Sequence, residues 1–108
     1  MDNSGGNSAN IQASLAGRYA TALFELARDA KAIDKVETSL KAVTQALTDS
    51  ADFAALTTNP VLSREAAKKA VAAVAKSMKV DSLTANMLGV LAHNRRLAQT
   101  GAVARAFS

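Results

Sequence analysis

The stretch from residue 13 to residue 30, ASLAGRYATALFELARDA, constrains the fold more than any other part of the chain. At the helical spacing of about 100° per residue, its six most polar side chains fall within one arc of about 100°. Nearly all of the remaining surface is apolar. A surface helix typically needs an apolar stripe only a little wider than a third of its circumference. The pattern therefore allows two interpretations, the central helix of a bundle or a helix that keeps one apolar face for another chain.

The composition favours a single all-α domain. The chain has 108 residues, abundant alanine, one proline and no cysteine, so disulfides and thiol chemistry are excluded. No apolar run approaches the ~18 residues of a membrane span, and the N-terminus lacks the basic and apolar regions of a secretory signal. Residues 1–10, MDNSGGNSAN, are predicted to be a disordered polar tail, and residues 11–108 a helical bundle.

Apolar spacing predicts that the first helix begins between residues 10 and 14 and ends by Ala30. A short third helix is expected after Ser50, and it must end at Asn59-Pro60 because proline disfavours the helical conformation of the residue before it. Between the first and third helices, the sequence has one narrow apolar stripe, which is typical of an outer helix that packs back on the first. This second helix carries Ile33, Val36, Leu40, Val43 and Leu47.

Three more helices are predicted after the proline. Ser63 suits the N-cap of the fourth, whose inward residues are expected to be Ala67, Val71, Val74 and Met78. The fifth, capped by Asp81 or Ser82, should run from Leu83 to about Asn94, and the sixth should start near Arg96-Leu97. The sixth helix has no terminating signal before the chain ends, so we expect it to be truncated.

Charge is unevenly distributed along the chain. Residues 1–59 carry seven acidic and five basic side chains, whereas residues 60–108 carry two acidic and eight basic ones, for a net charge of +4. A basic half is compatible with nucleic acid, an anionic surface or an acidic protein partner. A basic helical nucleic-acid-binding domain is therefore the alternative function. The lysines of the fourth helix suit phosphate contacts but not base reading, and no aromatics lie among them for stacking.

Reactive groups suited to catalysis are sparse. His93 is the one histidine, and its place near a helix end favours a helix-terminal cation over a general base. No His/Cys cluster has metal-ligand spacing, and the Gly5-Gly6 pair is not followed by the Lys-Ser/Thr of a phosphate-binding loop. The expectation is a non-catalytic chain with no cofactor and no metal.

The fifth helix, like the first, has more apolar surface than a small bundle needs. Within it, Gly89 costs about 1 kcal/mol relative to alanine, which suggested close packing at that position. If the two helices are neighbours, their spare faces form a groove that can hold an amphipathic helix of a partner. The competing interpretation is that both are simply central helices, and the pattern alone leaves the two open.

Four segments, in order and spacing, resemble one known family. They are GRYATALFELA at 17–27, NPV at 59–61 with SRE at 63–65, NMLGVL at 86–91 and NRRL at 94–97. Together they resemble the F-type ATP synthase delta subunit, whose mitochondrial equivalent is the oligomycin-sensitivity-conferring protein. The resemblance covers the chain from about Ile11 onward.

The resemblance implies a six-helix bundle as an N-terminal domain, followed by a smaller C-terminal domain that binds b-type stalk subunits and is absent here. In that family the bundle holds the N-terminal helix of an alpha subunit in a groove between the first and fifth helices. By match, the groove residues are Tyr19, Ala22, Asn86 and Val90, and helical geometry adds Leu15, Leu26 and Leu83. The residues of the first helix that would face the bundle instead are Ala16, Ala20, Leu23, Phe24 and Ala27.

The function that the resemblance implies is static. The chain would be a stator (peripheral stalk) component of a proton-translocating ATP synthase, anchoring the stalk to the catalytic head. It would bind neither nucleotide nor nucleic acid, and its membrane contact would be only indirect, as a peripheral subunit at the cytoplasmic face of the inner membrane.

Overall fold

The computed structural model describes residues 14–108, which fold into six α-helices and one short 3₁₀ turn. An all-α six-helix bundle was predicted and is confirmed. The predicted tail at residues 1–10 lies outside the described residues. The helices are α1 Leu15–Asp29, α2 Ile33–Asp49, α3 Ala51–Thr58, α4 Arg64–Met78, α5 Ser82–His93 and α6 Thr100–Phe107, with the 3₁₀ turn at Leu97–Gln99 before α6.

Polar side chains cap the start of four of these helices. Ser14 accepts a hydrogen bond from the Gly17 backbone N–H at 2.9 Å, and Ser50 does the same for Phe53 at 3.1 Å. Ser63 caps α4, and Asp81 caps α5. Each cap satisfies a backbone donor that the first turn leaves without an intrahelical partner. The cap predicted at Ser63 is confirmed, and of the two candidates for the fifth helix, Asp81 and Ser82, the cap is Asp81.

Three helices end in a Schellman motif built on a basic residue rather than on glycine. Lys31, Lys79 and Arg95 adopt left-handed backbone conformations, with φ of 56°, 57° and 58°. After α1, the Ala32 N–H donates to the Ala27 carbonyl at 2.7 Å and the Lys31 N–H donates to Arg28 at 3.1 Å, and α4 and α5 end in the same pattern. A positive charge at a helix C-terminus is favourable, which partly offsets the strain of a side chain in this conformation.

The core is a continuous cluster in which α1 is central, packing against α2, α5 and α6. α4 and α5 pack along each other as a second layer. Within residues 14–108, none of the helices combines the length and apolarity needed to cross a bilayer. The largest fully buried side chains are Leu23, Val36, Val43, Val71, Thr84, Leu88, Leu91 and Val103.

Two expectations about neighbours were wrong. α2 does not face one neighbour, since it contacts α3, α5 and α6 as well as α1. Phe24, expected to face the bundle, is 40% exposed; its ring lies at the edge of the core, 5.7 Å from the ring of Phe107 on α6. The reason is the same in both cases, because apolar spacing fixes the width of a stripe but not which helices lie beside it.

Two local expectations also change. Gly89 does not serve close packing among residues 14–108, because a Cβ built there would meet none of their heavy atoms within 4 Å outside its own stretch of helix. The sixth helix does not start near Arg96-Leu97. A 3₁₀ turn occupies Leu97–Gln99, with the Thr100 hydroxyl donating to the Leu97 carbonyl at 2.6 Å, and α6 begins at Thr100.

Candidate partner-binding face

α1 carries two adjacent apolar stripes that differ in exposure. The first, called here the buried stripe, consists of Ala16, Ala20, Leu23 and Ala27, all at most 6% exposed. The second, called the open stripe, consists of the predicted groove residues Leu15, Tyr19, Ala22 and Leu26. Leu15 is 37% and Leu26 54% exposed, Ala22 is exposed and Tyr19 is half-buried. The open stripe thus has apolar surface that no described part of the chain covers.

α5 shows the same division. Its inward face packs Met87, Leu88 and Leu91 into the core. The predicted groove residues of this helix lie outside that face. Val90 is 44% exposed, Asn86 is exposed and Leu83 is half-buried. An apolar side chain left open on α5 therefore accompanies the open stripe of α1.

A hydrogen bond links the two helices at this face. The Asn94 side-chain amide, at the C-terminal end of α5, donates to the Tyr19 hydroxyl on α1 at 3.0 Å. The two residues are 75 positions apart in sequence. The first and fifth helices also pack against each other, so they are neighbours in the fold.

Large exposed apolar side chains include several of the predicted groove residues. In residues 14–108 there are five, and three of them, Leu15, Leu26 and Val90, belong to the predicted groove residues. The other two are Phe24, which lies against α6, and Val61 in the loop after Pro60. Exposed apolar side chains become evidence for an interaction site when they form a contiguous patch, as Leu15 and Leu26 would along one stripe of α1.

The seven predicted residues do not all line one cleft. Asn86 and Val90 also border an open cleft between α5 and α4, together with Ala72 and Lys76. Leu83 borders a different cleft at the start of α5. The outward side of α5 therefore forms a ridge, with α1 on one side and α4 on the other.

The start of α5 is held by a polar network around Asp81. Its carboxylate accepts hydrogen bonds from the backbone N–H groups of Leu83 and Thr84, at 2.9 and 3.1 Å, and from the Thr84 hydroxyl at 2.6 Å. The Asp81 N–H donates to the hydroxyl of Ser39 on α2 at 2.9 Å. Burial by itself raises the pKa of Asp81, but the hydrogen bonds from Thr84, Ser39 and Leu83 together hold that pKa below its ordinary value of 3.8. This network fixes α5 relative to α2.

The described residues offer little for catalysis or metal binding. Between Ser14 and Ser108, no three His, Asp or Glu side chains come together in a way that could hold a metal ion. His93 is exposed at the last position of α5, next to the Schellman motif. What the arrangement does offer is apolar surface on two adjacent helices that the Asn94–Tyr19 hydrogen bond joins.

A model of the ATP synthase delta (OSCP) subunit family matches residues 15–108, all six described helices. The chain belongs to this family. Members of the family are structural stalk subunits rather than catalytic ones, in agreement with the expectation of a non-catalytic chain.

Curated relatives support the same family. The chain is 63% identical over 107 residues to ATP synthase subunit delta of Rhizorhabdus wittichii, covering 99% of this chain and 56% of the relative. The subunit delta of Erythrobacter litoralis is 48% identical over 100 residues (93% and 54%), and that of Rhodobacter capsulatus 46% over 89 residues (82% and 48%). The chain thus spans about half the length of these relatives.

The hydrogen bond between Asn94 and Tyr19 was not predicted from the sequence. Family membership does not test residue roles, so the seven groove residues stay a prediction. Tyr19 was predicted as a groove residue and Asn94 only as part of the NRRL segment at 94–97, with no contact expected between them. Nothing in the local sequence joins them, because their contact depends on how α1 and α5 are placed by the whole core.

Proposed function

We propose that this chain is the head-binding part of an ATP synthase stator, and that its α1/α5 face holds the N-terminal helix of an alpha subunit. The observation that carries the proposal is the exposed open stripe of α1, on a helix that the Asn94–Tyr19 hydrogen bond joins to the end of α5. An amphipathic partner helix binds such a face through residues spaced i, i+3, i+4 and i+7. The printed name of the relatives, ATP synthase subunit delta, supports the assignment to that complex.

The role is mechanical. A rotary enzyme needs its catalytic head held against the torque of the turning shaft, so the contact must be tight and long-lived rather than reactive. In this proposal the remaining part of the subunit, as in the longer relatives, carries the contact with b-type stalk subunits. The chain then belongs to the peripheral part of the complex, at the cytoplasmic face of the inner membrane, and meets the membrane only through other subunits.

Pre-organisation favours tight binding at this face. The hydrogen bond from Asn94 to Tyr19 joins the two helices before any partner arrives. Less ordering free energy is then lost on association. Exposed Leu15 and Leu26 supply apolar area near the two ends of α1, with Ala22 between them, where a small side chain allows close approach of a partner backbone.

Isothermal titration and NMR with a peptide of the alpha-subunit N-terminus test the proposal. We expect saturable heat, helix formation in the peptide, and amide shifts centred on Tyr19, Ala22 and Val90. Absence of heat and of shifts in α1 and α5 would contradict it.

Ala22→Asp is the sharpest variant. It places an unpaired charge in a face that the partner desolvates, at a cost of several kcal/mol, so affinity for the peptide should fall about 100-fold or more. The fold should survive, because Ala22 is exposed. Ala20→Asp is the matched control: Ala20 is 4% exposed, so the same change should destabilise the fold itself. If Ala22→Asp unfolds the chain instead, Ala22 belongs to the core and the face is misplaced.

A further inference from the structure

The α4/α5 cleft, a second surface apart from the open stripe of α1, carries features that the proposed function does not use. This open cleft of about 690 Å³ is bordered by Ala72 and Ala75 of α4, Ala85 and Gly89 of α5, and Val80 between the two helices. Its walls are small and apolar, so two helices that pack along each other leave room between their outer edges. The cleft is wide enough to receive side chains from another molecule.

Gly89 is the first indication that the room is for an outside partner. A glycine in mid-helix costs about 1 kcal/mol relative to alanine. Close packing within the chain is a common reason for such a residue, but here a Cβ would meet no heavy atom within 4 Å. None of the described residues fills the space next to Gly89, and the glycine leaves backbone open at the wall of the cleft.

The rim of the cleft gives the chemistry of the occupant. Lys68 and Lys76 of α4 stand on one side and His93 of α5 on the other, and among residues 14–108 no carboxylate borders the cleft. Within the described part of the chain the ion pair recorded joins Arg28 and Asp29, so the two lysines have no acidic partner there. Basic side chains around an apolar floor complement an amphipathic segment with acidic flanks.

From the vacant apolar floor and the unpaired basic rim together, we propose that the α4/α5 cleft is a second docking surface, for an acidic amphipathic helix of a partner protein. Apolar side chains of that helix fill the space beside Gly89, and its carboxylates pair with Lys68 and Lys76. Asn86 and Val90, on the ridge between the two surfaces, place this site beside the α1/α5 face. The inference goes beyond the proposed function and does not depend on it.

The test uses a designed helical peptide of about 18 residues, long enough to form a helix on binding, with leucines at i, i+3, i+4 and i+7 and glutamates on the flanks. A matched peptide carries lysines in place of the glutamates. Titrated into the 108-residue chain, the acidic peptide should shift the amides of Gly89 and Ala72. Its affinity should exceed that of the lysine peptide by about tenfold or more and should weaken as salt rises.

Two variants probe the cleft from different directions. Lys68→Glu/Lys76→Glu should lower affinity for the acidic peptide by about tenfold or more and should improve binding of the lysine peptide. Gly89→Leu should block the floor without unfolding the chain, since its side chain enters vacant space. Circular dichroism and thermal melting check the fold of both. Unchanged affinity in the charge-reversed variant, or shifts that centre on Tyr19 and Ala22 instead of Gly89, overturns the proposal.

Two further arms separate this site from its alternatives. Ala22→Asp should leave the acidic peptide bound, because Ala22 does not border the α4/α5 cleft. Failure of the alpha-subunit peptide to bind would overturn the proposed function but not the proposal for the α4/α5 cleft. A duplex DNA of about 20 bp is titrated under the same conditions. Shifts at Gly89 from DNA, steeply lost with salt, with none from the acidic peptide, would assign the cleft to nucleic acid and overturn the proposal.

Discussion

The two stripes of α1 differ far more in environment than in chemistry. Both are apolar and lie side by side along the same 15-residue helix. In the buried stripe, Leu23 is 0% exposed at the centre of the core, whereas in the open stripe Leu26 is 54% exposed. Apolar character alone therefore does not tell burial within the chain from burial by a partner.

This difference explains why the wide apolar arc of α1 satisfies both initial interpretations. The helix is central, since it packs against α2, α5 and α6, and it also leaves an apolar edge uncovered. The general expectation is that buried groups determine the free energy of unfolding and that open groups determine affinity for a partner. Matched substitutions in the two stripes can break or sharpen that division.

The largest effect is expected from a pair of leucine substitutions. Leu23→Ala removes a fully buried side chain and leaves a cavity, so the free energy of unfolding should fall by about 2–5 kcal/mol. Leu26→Ala should change it by only about 0.5 kcal/mol, since much of the side chain is already in water. Urea denaturation followed by circular dichroism measures both.

The effects of the two substitutions on peptide binding should be in the reverse order. Leu26→Ala should weaken binding of the alpha-subunit peptide although its fold is intact. Leu23→Ala, measured at a temperature where it is still folded, should bind nearly as well as the unmodified chain. Equal losses of stability in the two variants would show that the open stripe is part of the core after all.

The sequence determined the width of the apolar arc on α1 but not the side on which each residue lies. The division into a bundle-facing and a partner-facing stripe came from the family resemblance, whereas helical spacing sets only the angle between Leu23 and Leu26. It did not place Phe24, because the position of that ring depends on Phe107, which is 83 positions later. Helix starts were predictable wherever a serine or aspartate caps locally, as at Ser50 and Ser63.

Long-range polar contacts could not be predicted from the sequence for the same reason. Ser39 lies on the apolar stripe of α2 and is buried, yet its partner, the Asp81 N–H, is 42 positions away. The Tyr19–Asn94 bond and the vacant space at Gly89 likewise depend on how separate helices are brought together. Local pattern gives elements and caps, and only the assembled core gives these contacts.

The same comparison of stability with binding can be made for two polar contacts, the Asp81 network and the Tyr19–Asn94 hydrogen bond. Asp81→Ala removes the cap of α5 and should lower the free energy of unfolding by about 1–2 kcal/mol at pH 7. Tyr19→Phe removes an exposed bond, and we expect it to cost much less stability while weakening peptide binding. Urea denaturation and titration calorimetry on both variants test this division, and a Tyr19→Phe chain less stable than Asp81→Ala would contradict it.

The pH dependence of stability separates the contribution of the Asp81 charge from that of its capping oxygen. Its folded pKa lies below the ordinary 3.8, so its stabilising contribution is present above that value and is lost as pH falls through the folded pKa. The unmodified chain should therefore lose more stability between pH 5 and pH 2 than Asp81→Asn, which keeps a capping oxygen without the charge. Equal losses of unfolding free energy with falling pH in the unmodified chain and in Asp81→Asn would contradict a role for the charge.

The smallest effect is expected at the end of α1, where both stripes stop. Lys31 holds a left-handed backbone conformation at φ 56°, which costs a residue with a Cβ about 1 kcal/mol. Lys31→Gly relieves that strain but loses a favourable charge at the helix C-terminus, so a net gain of about 0.5 kcal/mol is expected. Lys31→Ala, which loses the charge and keeps the strain, should instead be slightly less stable than the unmodified chain. Because Lys31 lies outside the two stripes, neither variant should alter peptide affinity; a change in affinity would mean that the α1/α5 face extends beyond the last turn of α1.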